Sequence, residues 1–456
     1  MNHLSYHAPD YREERGDMVL LVWGDIPYWT VVDKEFESLL LMLDGELTLG
    51  EIISKNPSWY ARKKEITANI GVLRGAGVFT SAKTIPKFAP PLYGTKLESV
   101  AINITRQCNL RCRYCYLLDK LTASDDNELT AGEINGFLQQ IRPFVSKKPL
   151  LTILGGEPLM DTGKLLAVAE QAIRQSFTVL VSTNGIKVTD DFAQRAAQLG
   201  IQMQVSLDGH TPALHDAIRG RGSFEGAVAG VRKLVRHNVH TIISMVCHQG
   251  NVDHLLDYYR FARELGVKGA RFIPLKRMGG AAGGEFIPVP MDQLLHQAFI
   301  MFSQHPELLP LAGNDTFNIM ANTCKYSMRR ASCGTALQTV LLDANGDIFP
   351  CLNCNFADAK IANIRDAGFD FRRSWLTSPA LLDFRSATVL AEGKDEHKGC
   401  PVRYWCLGGC RGENRVLTGS LSKRPPHCAE LRQATLAMFW VLAEHPELIK
   451  SAVKMC

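Results

Sequence analysis

The feature that most constrains this chain is a sixfold alternation between about 97 and 305. Short runs rich in β-branched and aliphatic residues recur at Val100–Thr105, Leu150–Leu154, Thr178–Ser182, Gln202–Leu207, Thr241–Cys247 and Ala270–Leu275, with the length and make-up of strands. Amphipathic stretches with helical spacing separate them near 130–145, 163–176, 189–199, 225–237 and 252–265. Parallel neighbours need crossovers of this kind, so the expected fold class is α/β, a partial (β/α)6 barrel. Ligands of such sheets gather at the carboxyl ends of the strands.

The flanks read differently. Residues 1–95 form a first expected unit. Met18–Trp23 and Tyr28–Val32 flank a Gly24-Asp25-Ile26-Pro27 turn as a β-hairpin, and helical patterns follow near 34–43, 48–55 and 60–75, in the manner of a small winged-helix domain. A Pro-rich segment, Ile85–Gly94, closes it. The barrel is expected over 96–310. Residues 311–456 hold nine of the chain's 13 cysteines and show little periodicity before a last apolar helix near 429–443.

Thirteen cysteines in 456 residues are the compositional anomaly, because a chain this long buries a core without disulfide staples. The N-terminus lacks a basic-then-apolar signal, which predicts a cytoplasmic address with reduced thiols, where spaced cysteines serve metals or catalysis. No run reaches the roughly 18 apolar residues of a membrane span. The net charge of +5 gives no reason to expect nucleic acid.

Directly after the first barrel strand stands Cys108-Asn109-Leu110-Arg111-Cys112-Arg113-Tyr114-Cys115. Three thiolates on one tight loop suit three irons of a [4Fe-4S] cube and leave the fourth iron open to a chelating small molecule. A zinc loop is the competing reading, although zinc commonly takes paired C-x2-C units.

The C-x3-C-x-aromatic-C pattern, with Tyr114 as the aromatic residue, resembles the signature of the radical S-adenosylmethionine (SAM) enzymes. Further segments are similar to that family at successive strand ends, and the resemblance spans about 96–290. Gly155-Gly156-Glu157-Pro158 matches the segment that receives the SAM amino group. Ser182 and Asn184, Ser206 and Asp208, and Arg219 match positions that contact the ribose and the methionine carboxylate. The resemblance implies a SAM-binding [4Fe-4S] cluster held by Cys108, Cys112 and Cys115. It also implies reductive cleavage of SAM to a 5′-deoxyadenosyl radical, fed by a flavodoxin- or ferredoxin-type reductant.

Cys333 followed by Gly346 and Cys351, then Cys400, Cys406, Cys410 and Cys428, resembles the SPASM extension of these enzymes, which implies two auxiliary [4Fe-4S] clusters. Carried over, Cys333, Cys351 and Cys410 fall to the first, with Cys324 as its fourth ligand. Cys400, Cys406 and Cys428 fall to the second. The family's remaining cysteine is replaced by His397, so the second cluster is completed either by Cys354 or by His397 itself. Two structural zinc sites are the alternative for this region.

The N-terminal unit resembles PqqD-type precursor-recognition domains, which bind a leader peptide by strand addition; a stabilising cap is the plainer reading. Leu352 stands where sulfatase-maturing relatives place an acidic base, which argues against formylglycine formation. The resemblance therefore implies crosslinking of a ribosomally made peptide or protein subunit, with a Cys thioether expected ahead of a carbon–carbon bond. A non-catalytic iron–sulfur carrier that docks a peptide is the rival from another class.

Overall fold

The computed structural model describes residues 3–79, 96–123, 127–313, 315–325, 333–387 and 396–448. The Pro-rich segment and Cys456 lie outside the described residues.

The N-terminal unit opens with β1 (His3–Ser5), β2 (Tyr11–Arg15), β3 (Met18–Trp23), β4 (Tyr28–Asp33) and β5 (Asp44–Thr48). The expected hairpin is β3–β4, and β2 joins it as a third antiparallel strand. Tyr-Arg-Glu-Glu-Arg carries almost no apolar signal, so this edge strand escapes pattern reading. β3 is buried on both faces, which is why it reads as an unbroken apolar run. Val19, Leu21 and Trp23 face the unit's own helices, whereas Leu20 and Val22 join the main core of the molecule.

Helix Lys34–Leu41 starts on Asp33, which caps the Phe36 amide at 2.7 Å. Helix Leu49–Ser54 starts on a Thr48/Glu51 capping box. The single helix expected near 60–75 is instead two, Pro57–Ala61 and Lys63–Gly75. They break at Arg62, whose guanidinium is turned to Asp33, Glu35 and Glu65.

All six expected barrel strands form. They are β6 (Leu97–Asn103), β7 (Val145–Leu154), β8 (Thr178–Thr183), β9 (Gln202–Ser206), β10 (Thr241–Cys247) and β11 (Gly269–Pro274), each parallel to the next. Alternation along β9 shows how the wall is built: Met203 and Val205 are buried against the helices, while Gln202, Gln204 and Ser206 stay half-buried on the concave face. Thr152, Ser182 and Arg271 share that half-buried state. Arg271 donates to Gln204 at 2.9 Å. The concave face is thus a polar wall, unlike the packed interior of a closed (β/α)8 barrel.

The sheet does not stop at the expected boundary. β12 (Thr339–Leu342) pairs in parallel with β6, Thr339 opposite Ser99 and Leu342 opposite Ile102, and β13 (Asp347–Phe349) and β14 (Ala362–Asn363) continue it antiparallel. The result is one nine-stranded sheet, ordered β11-β10-β9-β8-β7-β6-β12-β13-β14. The C-terminal helix, Cys428–Glu444, seats the N-terminal sheet: Trp29 stacks on Phe439 with ring centres 4.8 Å apart, and Arg15 lies 4.7 Å over the Trp440 ring. Among the described residues no helix is long and apolar enough to cross a membrane.

Candidate functional site

The sequence-predicted barrel residues lie at the carboxyl ends of strands or in the loops that follow, except Arg219, which ends helix Pro212–Arg219. The Cys108–Cys115 loop leaves β6 and is clamped from three sides. On one side, Gly156 and Glu157 donate backbone hydrogen bonds to Thr105 and Gln107 carbonyls, both at 2.8 Å. A Cβ on Gly156 would run into the Gln107 carbonyl, 2.6 Å from its carbon, so only glycine allows this approach. On a second side, the Arg113 amide donates to Ile218 at 3.0 Å, docking the loop on helix Pro212–Arg219. On the third, Gly280 donates to the Cys115 carbonyl at 2.9 Å, and a Cβ on Gly279 would strike the Tyr116 backbone. Sequence reasoning missed this Gly279–Gly284 contact, although its four glycines in six residues are a readable sign of close backbone approach.

The three loop thiols are half-buried, and burial raises all three, Cys108 to about 11. A thiolate trio here therefore needs a bound cation to hold its charge. Arg219 lies beside Cys112, Nη1 to Sγ at 3.9 Å. Its guanidinium is fixed by Asp208, which is fully buried and accepts from Arg219 Nε and from the Tyr114 hydroxyl, while Arg219 also donates to Tyr114 at 2.8 Å. Burial would raise the Asp208 carboxyl, but the Arg219 charge outweighs it and holds it below the usual range. His215 completes the set: its Nδ1 accepts from the Asp208 amide at 3.1 Å, and burial pushes it down to about 4, so it is neutral.

Glu157 has a supporting part. Its buried carboxylate accepts from the Leu159 amide, the Thr183 hydroxyl and the Asn184 amide at 3.0, 2.6 and 2.7 Å, tying the end of β7 to the end of β8. Burial raises its pKa against those hydrogen bonds. Pro158 is buried and starts the short turn behind it. Asn184 in turn donates to Asn109 of the cysteine loop at 2.8 Å. Ser182 lies on the concave wall, 3.4 Å from Gln204, and Ser206 lies opposite Ser244 in the β9–β10 register.

The C-terminal cysteines fall into two groups, and two members exchange places relative to expectation. Cys354 belongs with the first group: it hydrogen-bonds to Cys351 and lies in the field of Cys410 and Cys333. That hydrogen bond lowers the Cys351 thiol and raises that of Cys354. Cys324 belongs with the second group: it is buried and faces Cys406, which faces Cys400 and Cys428. The reason is spatial. The turn Leu352–Cys354 folds Cys354 back beside Cys351, while helix Thr316–Lys325 carries Cys324 away under Trp29, whose Nε1 donates to the Cys324 carbonyl at 2.6 Å. His397 is buried just before Cys400, whose amide bonds to its carbonyl at 2.9 Å.

Between the cysteine loop and the first of these groups stand two residues that no motif announced. Tyr116, directly after Cys115, is 37% exposed and near Cys351. Lys276, just past β11, is raised by Cys410 and Glu413 despite the lowering effect of burial.

Residues 102–262 match the radical SAM superfamily. A radical SAM domain thus spans residues 102–262. The superfamily implies SAM and a [4Fe-4S] cluster, and the donor set fits both: three thiols on one loop, an anchored guanidinium beside them and a glycine-only backbone cradle. Similar over much of this chain is the AdoMet-dependent heme synthase of Methanosarcina barkeri, 25% identical over 72% of this chain and 95% of that protein. So is the mycofactocin maturase MftC of Mycobacterium ulcerans, 25% identical over 72% of this chain and 86% of that protein. Among solved structures, Streptococcus suis SuiB bound to precursor peptide SuiA shares the fold with a TM-score of 0.58 at 15% identity, covering 92% of this chain and all of that one.

Proposed function

We propose that this radical SAM enzyme is a maturase that installs a crosslink, a Cys thioether, in a ribosomally made peptide or protein. The carrying observation is the seat of the N-terminal unit. Its sheet lies on helix Cys428–Glu444 and reaches Cys324 through Trp29, so a peptide held there is tethered to the cysteine-rich half of the molecule. β4 is an edge of that sheet and all six of its residues stay half-buried, which suits strand addition by a leader peptide. The fold shared with SuiB across nearly the whole chain supports the reading, as does the likeness to MftC. The heme synthase resemblance favours a second reading, a tetrapyrrole substrate.

In this proposal Cys108, Cys112 and Cys115 hold the SAM-binding cluster. Cys333, Cys351, Cys354 and Cys410 hold one auxiliary cluster, and Cys324, Cys400, Cys406 and Cys428 the other. When bound, the first cluster and SAM supply one-electron cleavage of a carbon–sulfur bond and a radical able to take hydrogen from carbon. Arg219, held by Asp208 and Tyr114, receives the SAM carboxylate. Gly155 and Gly156 leave their backbone open to its amino group. Ser182, Asn184 and Ser206 line the wall where its ribose would rest. Lys276 and Tyr116 border the substrate space, and a flavodoxin- or ferredoxin-type protein is the reductant.

The test is anaerobic reconstitution followed by 5′-deoxyadenosine measurement. About twelve irons per chain are expected, on a three-cube count. Cys112→Ala should abolish SAM cleavage, whereas Cys406→Ala should retain part of it and form no product. Full iron with no SAM cleavage would leave an electron carrier instead. Tight binding of a tetrapyrrole and of no Cys-containing peptide would move the substrate to the second reading.

A further inference from the structure

Outside the cysteine sites, one other cluster among the described residues brings metal-binding side chains together. His210 lies two residues beyond Asp208 in the loop after β9. His254 ends the short turn after β10, and Asp257 follows one helical turn later on helix Leu255–Leu265. One ligand atom from each lies within 4.8 Å of the other two. The His210 and His254 ring centres are 5.5 Å apart, tilted by 49°. His210 Nδ1 is shut off from solvent and has no hydrogen-bond partner among the described residues. A buried imidazole nitrogen without a partner is costly, and coordination is one way to satisfy it. Among the described residues Asp257 pairs with Arg260, at 3.8 Å on an exposed surface, a pairing a divalent cation would displace.

We propose that His210, His254 and Asp257 form a divalent-cation site, with zinc as the expected ion. Two imidazoles and one carboxylate are a common set for a first-row metal that keeps an open position for water. Tetrahedral zinc with bonds of about 2.0–2.1 Å sets its ligands roughly 3.3 Å apart, so side-chain rotation of an ångström or less closes the site. The consequence is positional. The ion would pin the loop carrying Asp208 to helix Leu255–Leu265, adding to the bond that Asn251 Nδ2 already makes to the Asp208 carbonyl at 3.2 Å.

The experiment uses the anaerobically purified full chain with its clusters. Zinc is added, unbound ion is removed by gel filtration, and the retained metal is read by absorption at the zinc edge, where iron does not interfere. One zinc per chain with a nitrogen- and oxygen-only shell is expected. Competition against a fluorescent zinc chelator should show His254→Gln and Asp257→Asn each losing more than the roughly 10–100-fold that an outer-shell change costs. Asp257 is half-exposed, so its variant carries the test if the histidine variant fails to fold. Sulfur in the zinc shell, no retained zinc, or unchanged affinity in Asp257→Asn overturns the proposal.

Discussion

Asp208→Asn isolates the charge that holds Arg219. Both carboxylate oxygens are in use: Oδ2 takes Arg219 Nε and the Tyr114 hydroxyl, and Oδ1 takes the Val246 amide at 3.0 Å. Asparagine has the same shape but only one acceptor oxygen. In one rotamer its NH2 faces Arg219, and in the other it faces the Val246 N–H, so donor meets donor either way. Arg219 is left as a cation whose side chain is 10% exposed. Removing one partner of such a buried pair costs about 3–5 kcal/mol. That cost falls on the closed state, because opening helix Pro212–Arg219 hydrates the guanidinium. Hydrogen exchange across residues 108–115 and 212–219 should therefore accelerate by about two to three and a half orders of magnitude, at about 1.4 kcal/mol per tenfold. Asp190→Asn, at an exposed pair with Arg236 and His237, should leave these segments unchanged. Acceleration of less than tenfold in Asp208→Asn would refute the view that Asp208 carries Arg219.

Two further outcomes follow from the same loop. Gly156→Ala forces a methyl against the Gln107 carbonyl on the chain leading to Cys108, so, on the three-cluster count proposed above, about four of about twelve irons should be lost, as read by iron analysis. His215 bears on pH. Its folded pKa of about 4 lies below the unfolded value near 6.5, so the unfolded chain takes up the proton first. Its stabilising contribution is complete above about pH 6.5 and drains away as pH falls toward 4, by about 2 kcal/mol between 6.5 and 5. His215→Asn keeps an acceptor for the Asp208 amide without titrating, and its unfolding midpoint should be flatter over that range; an equal slope in both proteins would remove His215 as the cause.

The barrel was legible because each strand is an apolar run between turn residues. Thr241–Cys247 agrees residue for residue, and the other five agree within a few positions at their ends. β2 and β12–β14 were not legible. The first has Tyr11 as its one apolar residue among Arg and Glu, and the others are two to four residues long, too short for any period to register. The motifs located the loop thiols, Gly155–Pro158 and Arg219, since local spacing encodes a local loop. Spacing could not encode which distant loop Cys324 or Cys354 would meet, and the two are exchanged. His210 and His254 meet for the same reason unannounced: neighbouring strands bring their following loops together, and sequence distance does not report it.

The pairing of β12 with β6 has a consequence for how the molecule is made. During synthesis β6 emerges early and finds β7, but its other edge, with Val100 and Ile102, has no partner until residue 342 has left the ribosome. An open apolar edge persisting through most of translation invites mispairing and calls for a chaperone. It also sets an order of assembly. The Cys108 loop grows from that strand, and Arg106 at its root pairs with Asp343 just past β12 at 2.6 Å, so iron delivered before the late segment has docked meets an incompletely anchored loop. Co-expression of iron–sulfur assembly factors should therefore raise yield less than slowing translation or lowering temperature does.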